Sequence, residues 1–298
     1  MEIIKTSVIG SYPIEIDNMK FIKNYFNGLE NFWDEYISAA VNDMIKAGID
    51  LISDGQTRDP FINIFTRNIK GCRIRDRPEV INKLEYLYPI IFEDIIKIKK
   101  YLPKNKGLIG VIAGPYTLSE SVVNFYYKNK MELAFDFAEI IKKEIDLIKP
   151  YVDLISIDEP FFSNKFPDYG YELIKIITKK LKCLTRLHVC GDVSKIIPDL
   201  INLPVDVLSH EFKAKPQLIN SYEEYENNKK ICLGSVRSDN IEIESVEEII
   251  SHVDQASSIF GEKIIQISPD CGQRLLPRDI AFKKLINLVK AGEVINGR

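Results

Sequence analysis

No apolar stretch in these 298 residues approaches the roughly 20 consecutive residues of a membrane-spanning helix, so a helical membrane span is excluded. Positive charge is not in excess either. Forty Lys and Arg stand against 43 Asp and Glu, a formal net charge of −3, and a nucleic-acid binder is set aside because such proteins carry a basic footprint. The short lysine pairs at 99–100, 142–143, 179–180 and 229–230 read as solvated charge on helix faces or before strands. Cysteine is scarce and odd in number. Cys72, Cys183, Cys190, Cys232 and Cys271 form no close pair, unlike the disulfide framework of a small secreted domain. The first residues show no secretory signal pattern, so a cytoplasmic location with reduced thiols is expected. Linkers rich in Gly, Pro or Ser are absent, as are low-complexity tracts. With three histidines, the chain is also poorly supplied for a hydrolase barrel, whose metal centres take several.

What is present is a rhythm. Short runs rich in Ile, Val and Leu recur at Thr6–Ile9, Asp50–Ser53, Gly107–Ile112, Val152–Ile157, Leu184–Val189, Val205–Ser209, Ile231–Gly234 and Lys263–Ile267. Between them, helical spacing predicts helices over Leu29–Ala47, Pro78–Tyr101, Ser119–Lys149, Tyr171–Leu181, Val246–Phe260 and Asp279–Ala291. The connections after the fifth and sixth runs are weaker and leave room for short helices. Apolar strands alternating with helices imply a parallel sheet covered on both faces, and eight such units imply a single-domain (β/α)8 TIM barrel over residues 1–298.

The residues that end these runs are ones a core would reject. They include Gly10-Ser11, Asp54-Gly55-Gln56, Asp158-Glu159-Pro160, His188-Val189-Cys190, His210-Glu211, Ser238-Asp239 and Asp270-Cys271-Gly272. Carboxyl ends of barrel strands converge on one mouth, where such barrels keep their chemistry. His188 and Cys190 are two residues apart, so they share a strand face and can reach one ion. A lone buried His or Cys is more often a packing residue. Here His188 and Cys190 coincide with Cys271 and with an acid, and thiolates, imidazole and carboxylate together suit a tetrahedral zinc. Of the neighbours His210 and Glu211, alternation lets one face inward, and Glu211 is preferred as the ligand. A zinc with two thiolate ligands holds a bound thiol as a nucleophilic thiolate at neutral pH, which points to alkyl transfer onto sulfur. Cys183 and Cys232 read as small buried hydrophobes, and Cys72 carries no signal.

From Ile9-Gly10-Ser11-Tyr12-Pro13 through His188-Val189-Cys190, Glu211 and Pro269-Asp270-Cys271-Gly272 to Leu276-Pro277-Arg278, essentially the whole chain resembles the catalytic domain of cobalamin-independent methionine synthases, in their short archaeal-type form. The resemblance implies a zinc site of His188, Cys190, Glu211 and Cys271, which settles Glu211 over His210. It implies transfer of a methyl group to the thiol of homocysteine. Ile9, Gly10 and Ser11 would then receive the amino-acid carboxylate, and Asp158, with Glu159 beside it, the ammonium group. A zwitterion needs an anion and a donor cluster held apart at fixed distance, so this division is physically sound.

Two departures from the family pattern stand out. Gln56 occupies a place where the long enzymes carry a second ammonium-binding acid, and an amide can only hydrogen-bond. Asp239 stands where folate-using members place a histidine thought to protonate the departing folate nitrogen. An amine anion is a very poor leaving group without that proton, whereas cob(I)alamin needs none. The expected donor is therefore a methylcorrinoid, either free methylcobalamin or one presented by a corrinoid protein. The alternative is methyltetrahydrofolate, with Asp239 as the acid if its pKa is raised. Two rival readings remain: a zinc barrel methyltransferase acting on another thiol such as coenzyme M, and a non-catalytic corrinoid or zinc carrier.

Overall fold

The computed structural model describes residues 3–17, 19, 20, 22, 23 and 33–297. Its strands in chain order are β1 (Lys5–Thr6), β2 (Leu51–Ile52), β3 (Ile69–Ile74), β4 (Pro78–Tyr86), β5 (Gly107–Ala113), β6 (Val123–Asn124), β7 (Leu154–Asp158), β8 (Leu184–His188), β9 (Val207–His210), β10 (Lys230–Val236) and β11 (Ile264–Pro269). Eight of them make one sheet in the order β1-β11-β10-β9-β8-β7-β5-β2, and a parallel bridge from Ser7 to Leu51 joins its two edges. The result is the expected (β/α)8 barrel, with each of the eight apolar runs supplying one strand.

The layers explain the composition of those runs. Ile157, Leu187, Leu208, Leu233 and Ile267 join helix residues such as Ile141, Ile145, Ile148, Leu173 and Ile177 in one large apolar cluster. Parallel strands covered by helices bury this face completely, and such strands read as nearly continuous hydrophobic sequence. The lumen differs. A small separate cluster of Ile9, Val207 and Cys232 sits there. Buried polar side chains accompany it, among them Ser7, Ser156, Arg186, Ser209 and Gln266. Arg186 on β8 donates to groups on β7, β10, β11 and the two residues after β1, a reach that crosses the barrel interior.

The helices follow their local signals where those signals are complete. Val246–Phe260 begins at a capping box of Ser245 and Glu248, as its spacing predicts. Asp34–Ala47 ends at Gly48, whose φ of 94° suits only a residue without a Cβ. Residues 29–32 of the expected first helix lie outside the described residues. Gly170–Thr178 and Arg278–Asn296 match expectation with shifted ends, and the weak connections hold the short helices Ile197–Asn202 and Gln217–Ser221.

Two expected helices are corrected. Pro78–Tyr101 is not one helix, because Pro78–Tyr86 is a strand paired antiparallel to β3 and the helix is confined to Phe92–Tyr101. Val80 and Leu84 are buried at strand-compatible spacing, and the helical reading came from running on into Ile90 and Ile91. The later helix starts where it does because the Glu144 carboxylate accepts from the backbone N–H groups of Ile90, Ile91 and Phe92, a cap from 52 or more residues away. Ser119–Lys149 is likewise divided into Pro115–Ser121, β6 and Lys130–Ile148. Asn124 binds the N–H groups of Tyr126 and Tyr127 to form the turn, and Asn129 caps the second helix. β3, β4 and β6 form a small sheet beside the barrel, and Ile69, Val80 and Leu84 join the main core.

Candidate active site

Strand register builds the centre of the barrel mouth. Asp158 on β7 lies opposite His188 on β8, and His188 lies opposite Ser209 on β9. Cys190 follows β8 by two residues, and Cys271 follows β11 by two. His188 Nε2 is 3.0 Å from Cys190 Sγ, and Cys190 Sγ is 2.8 Å from Cys271 Sγ. These three donor atoms all lie within 4.8 Å of one another. On the far side of the imidazole, Nδ1 is 3.1 Å from Ser209 Oγ, a contact that fixes the ring with Nε2 toward the thiols. The hydrogen bond with Cys271, followed by burial, holds the Cys190 thiol well above its usual range, while burial holds His188 well below its own. The raised Cys190 thiol must release its proton for the group to take up a cation.

Glu211, the fourth expected ligand, lies outside the group of three donors. Its carboxylate accepts from Gly191 N at 3.0 Å and pairs with Lys215, four residues on. A nearby cation in the same segment satisfies the carboxylate more simply than the thiol cluster does. His210 is turned away altogether. Its Nδ1 is 3.1 Å from Val189 O, its Nε2 is 2.8 Å from Tyr222 Oη, and its ring packs on Phe212 and Tyr222. Burial lowers its pKa to about 4.

A cavity of about 320 Å³ adjoins the three donors. Its walls include Ile9, Gly10, Ser11, Gln56 and Asp158, all expected at the site, together with His188, Cys190 and Cys271. Gly10 has a φ of 48°, and a Cβ there would stand 3.3 Å from Gln56 Oε1 and 3.5 Å from Asp158 Oδ2. Those two oxygens therefore flank the Gly10–Ser11 turn. Burial pushes the Asp158 carboxyl up to about 7, against the opposing pull of Arg186 and of the Ser156 hydroxyl that donates to it. The amide Nε2 of Gln56 is buried and has no hydrogen-bond partner among the described residues. Phe61, Arg274 and Leu275 also line the cavity and were not singled out in the sequence. Arg274 binds the carbonyl oxygens of Gln56 and Asp59 and so ties the last loop to the second, leaving Leu275 94% exposed. The run Arg274-Leu275-Leu276 had no local signal for this.

Glu159 and Asp239, also expected at the site, are not among the residues that line the cavity. Glu159 is fully buried beside the cavity but turned from it. It accepts from Tyr116 N at 3.0 Å, Thr117 N at 2.8 Å and Thr117 Oγ1 at 2.6 Å, at the start of helix Pro115–Ser121. That is the place where a helix leaves N–H groups without partners. Successive residues after a strand point different ways, so Asp158 faces the mouth while Glu159 faces the helix. Glu159→Gln should lower stability by about 2 kcal/mol through the lost acceptor, measured by denaturant unfolding, while the activity of folded protein stays unchanged. Asp239 is exposed and pairs with Arg237 at 2.9 Å. The Arg237 hydrogen bond holds its pKa below the usual carboxylate value, opposite to what an acid catalyst needs.

The family description "Cobalamin-independent synthase, Catalytic domain" matches residues 4–294. The chain belongs to this family. A methionine synthase of Methanocaldococcus jannaschii is 38% identical, with 97% of this chain and 99% of that protein covered. Another, from Methanothermobacter marburgensis, is 34% identical over 96% and 98% of the two chains. A solved B12-independent methionine synthase from a Shewanella species, in complex with selenomethionine, superposes with a TM-score of 0.82 at 23% identity and covers 99% of this chain and 98% of that one. At that identity the likeness speaks for the barrel alone. Among the described residues no helix is long and apolar enough to cross a membrane.

Proposed function

We propose that this member of the family methylates the thiol of homocysteine to form methionine, at a zinc ion held by His188, Cys190 and Cys271. The reading is carried by the meeting of one imidazole and two thiols on a cavity that also holds Asp158 and the Gly10–Ser11 turn. Two soft sulfurs and a nitrogen fit zinc, and three protein donors leave a fourth position for substrate. Zinc there supplies the Lewis acidity that lowers a thiol's pKa below about 8.5. Ser209 holds the imidazole in place throughout. Asp158 receives the ammonium group, and Gly10 and Ser11 receive the carboxylate, with the Gln56 amide between the two. With the amino-acid end fixed, the substrate sulfur is confined near the three donors and oriented for in-line attack on a methyl carbon. Glu211, whose carboxylate rests on Gly191 N and Lys215, would be the further residue to hold the zinc. Glu211→Gln should accordingly weaken zinc retention by on the order of tenfold, far less than loss of a cysteine. Competition with a chromophoric chelator measures both. A thiol without an amino-acid end, such as coenzyme M, would leave the buried Asp158 carboxylate without a counter-charge from the substrate, which argues against it.

The methyl donor is the finer question. The family is described as cobalamin-independent, which weighs against the methylcorrinoid and the corrinoid protein expected from the missing histidine, and in favour of methyltetrahydrofolate. One specific observation supports the corrinoid as a second reading. Asp239 is held ionised by Arg237 and is no proton donor for a departing folate nitrogen. Asp239→Asn is therefore expected to leave turnover within about twofold, the usual weight of an exposed ion pair. The deciding assay offers zinc-loaded protein homocysteine with methyltetrahydrofolate or methylcobalamin in parallel and measures methionine. Turnover with the folate removes the corrinoid reading, and turnover with methylcobalamin alone supports it. No methionine from either donor, with bound zinc verified, would sink the proposal of free-standing homocysteine methylation.

A further inference from the structure

Arg186 is fully buried inside the barrel, and no described residue offers it a carboxylate partner at hydrogen-bond distance. Its partners are all neutral: Ser156 Oγ at 3.2 Å from Nε, Ser7 Oγ at 2.8 Å and Gln266 Oε1 at 3.2 Å from Nη1, and Val8 O at 2.9 Å from Nη2. Cys232 Sγ lies 3.5 Å from Nη1. Burying a guanidinium among neutral groups is expensive, and a packed apolar side chain would stabilise the lumen as well or better. A stability role alone does not account for it.

Its hydrogen bonds lead to the two halves of the substrate site. Nε donates to Ser156 Oγ, and that hydroxyl donates in turn to Asp158 Oδ1 at 3.1 Å. Nη1 and Nη2 hold Ser7 and the Val8 carbonyl, immediately before Ile9, Gly10 and Ser11. One planar fork, with five N–H groups in fixed geometry, thus ties the carboxylate of β7 to the turn after β1 from beneath. We infer that Arg186 is a positioning residue that sets the separation between the ammonium-binding Asp158 and the carboxylate-binding Gly10–Ser11 turn, and so selects an α-amino-acid thiol. This rests on the proposed homocysteine reading and adds to it a residue that touches neither substrate nor metal.

The test uses zinc-loaded full-length protein with saturating methyltetrahydrofolate, or saturating methylcobalamin where the folate gives no turnover. Homocysteine is the substrate, and two fragments of it are the competitive inhibitors: 3-mercaptopropylamine lacks the carboxylate, and 4-mercaptobutyrate lacks the ammonium group. Ser156→Ala cuts only the limb to Asp158. It should raise the homocysteine KM and the 3-mercaptopropylamine Ki about tenfold, and leave kcat and the 4-mercaptobutyrate Ki within about twofold. Arg186→Met cuts both limbs and should weaken all three ligands, with zinc still bound. Adding Ser156→Ala to Arg186→Met should then have little further effect, since both act through one connection. If Arg186→Met does not fold, Ser156→Ala alone decides. A lowered melting temperature with an unchanged homocysteine KM, or equal weakening of both fragments by Ser156→Ala, overturns the inference. If the wild-type protein neither binds nor methylates homocysteine, the homocysteine reading fails, and this inference falls with it.

Discussion

Cys271→Ala is expected to abolish stable zinc binding and to lower methyl transfer by on the order of a thousandfold. The sulfur lies 2.8 Å from Cys190 Sγ, and the segment that carries it is held by Ser238, whose hydroxyl donates to Cys271 O at 2.6 Å and accepts from Cys271 N at 3.1 Å. Its placement is thus set by backbone contacts that the substitution leaves alone, and the loss falls on the donor atom. Metal analysis after gel filtration, together with methionine formation, measures the two effects. Cys232→Ala is the matched control. Cys232 is fully buried and contacts Ser268 and Arg186 rather than the donor group, so its removal should leave zinc stoichiometry intact. A Cys271→Ala protein that keeps one tightly bound zinc would show that the two thiols are not both ligands.

Asp158→Asn should raise the homocysteine KM by on the order of a hundredfold, because the amide leaves a buried ammonium group without its counter-charge. Zinc content should not change, since Asp158 is not among the three donors. The pH dependence provides a second readout. Burial raises the Asp158 carboxyl to about 7 in the free protein, and in the proposed reading the ammonium group would bind the ionised form. Homocysteine affinity should therefore be full above about pH 7 and decline as the pH falls through that value, by about tenfold per unit well below it. The asparagine variant has no group to titrate there and should show a flat, weak affinity over the same range. A wild-type KM that stays constant from pH 8 to pH 5.5 would contradict the assignment of the ammonium group to Asp158.

Much of the barrel was legible because its strands are local objects. Apolar runs such as Gly107–Ile112 and Val152–Ile157 are short, uniform and bounded by turn residues, and they became the strands Gly107–Ala113 and Leu154–Asp158. Val246–Phe260 was equally clear, since both partners of its capping box lie within three residues. The failures had distant partners. Phe92–Tyr101 begins at a cap supplied by Glu144 on another helix, and Pro78–Tyr86 is a strand through its pairing with Ile69–Ile74. A helical pattern read along the chain contains neither fact.

The same division runs through the site. Sequence by itself determined which chemistries reach the mouth, because a residue at the carboxyl end of a barrel strand arrives there whatever its neighbours are. His188, Cys190, Cys271, Asp158 and the Gly10–Ser11 turn were readable on that ground, and all of them line the cavity. Only the tertiary structure decided what each side chain faces once it has arrived. Glu159 and Asp158 are adjacent in the chain, yet one caps a helix and the other meets the cavity. Glu211 is drawn to Lys215 and Gly191, and Asp239 to Arg237. Arg186 reads as an ordinary charged residue inside an apolar run, and its surroundings come from three strands and the two residues after β1 meeting around it. Strand ends are set by local backbone preference, whereas side-chain direction and hydrogen-bond partners are set by whatever the closed barrel brings within about 3 Å.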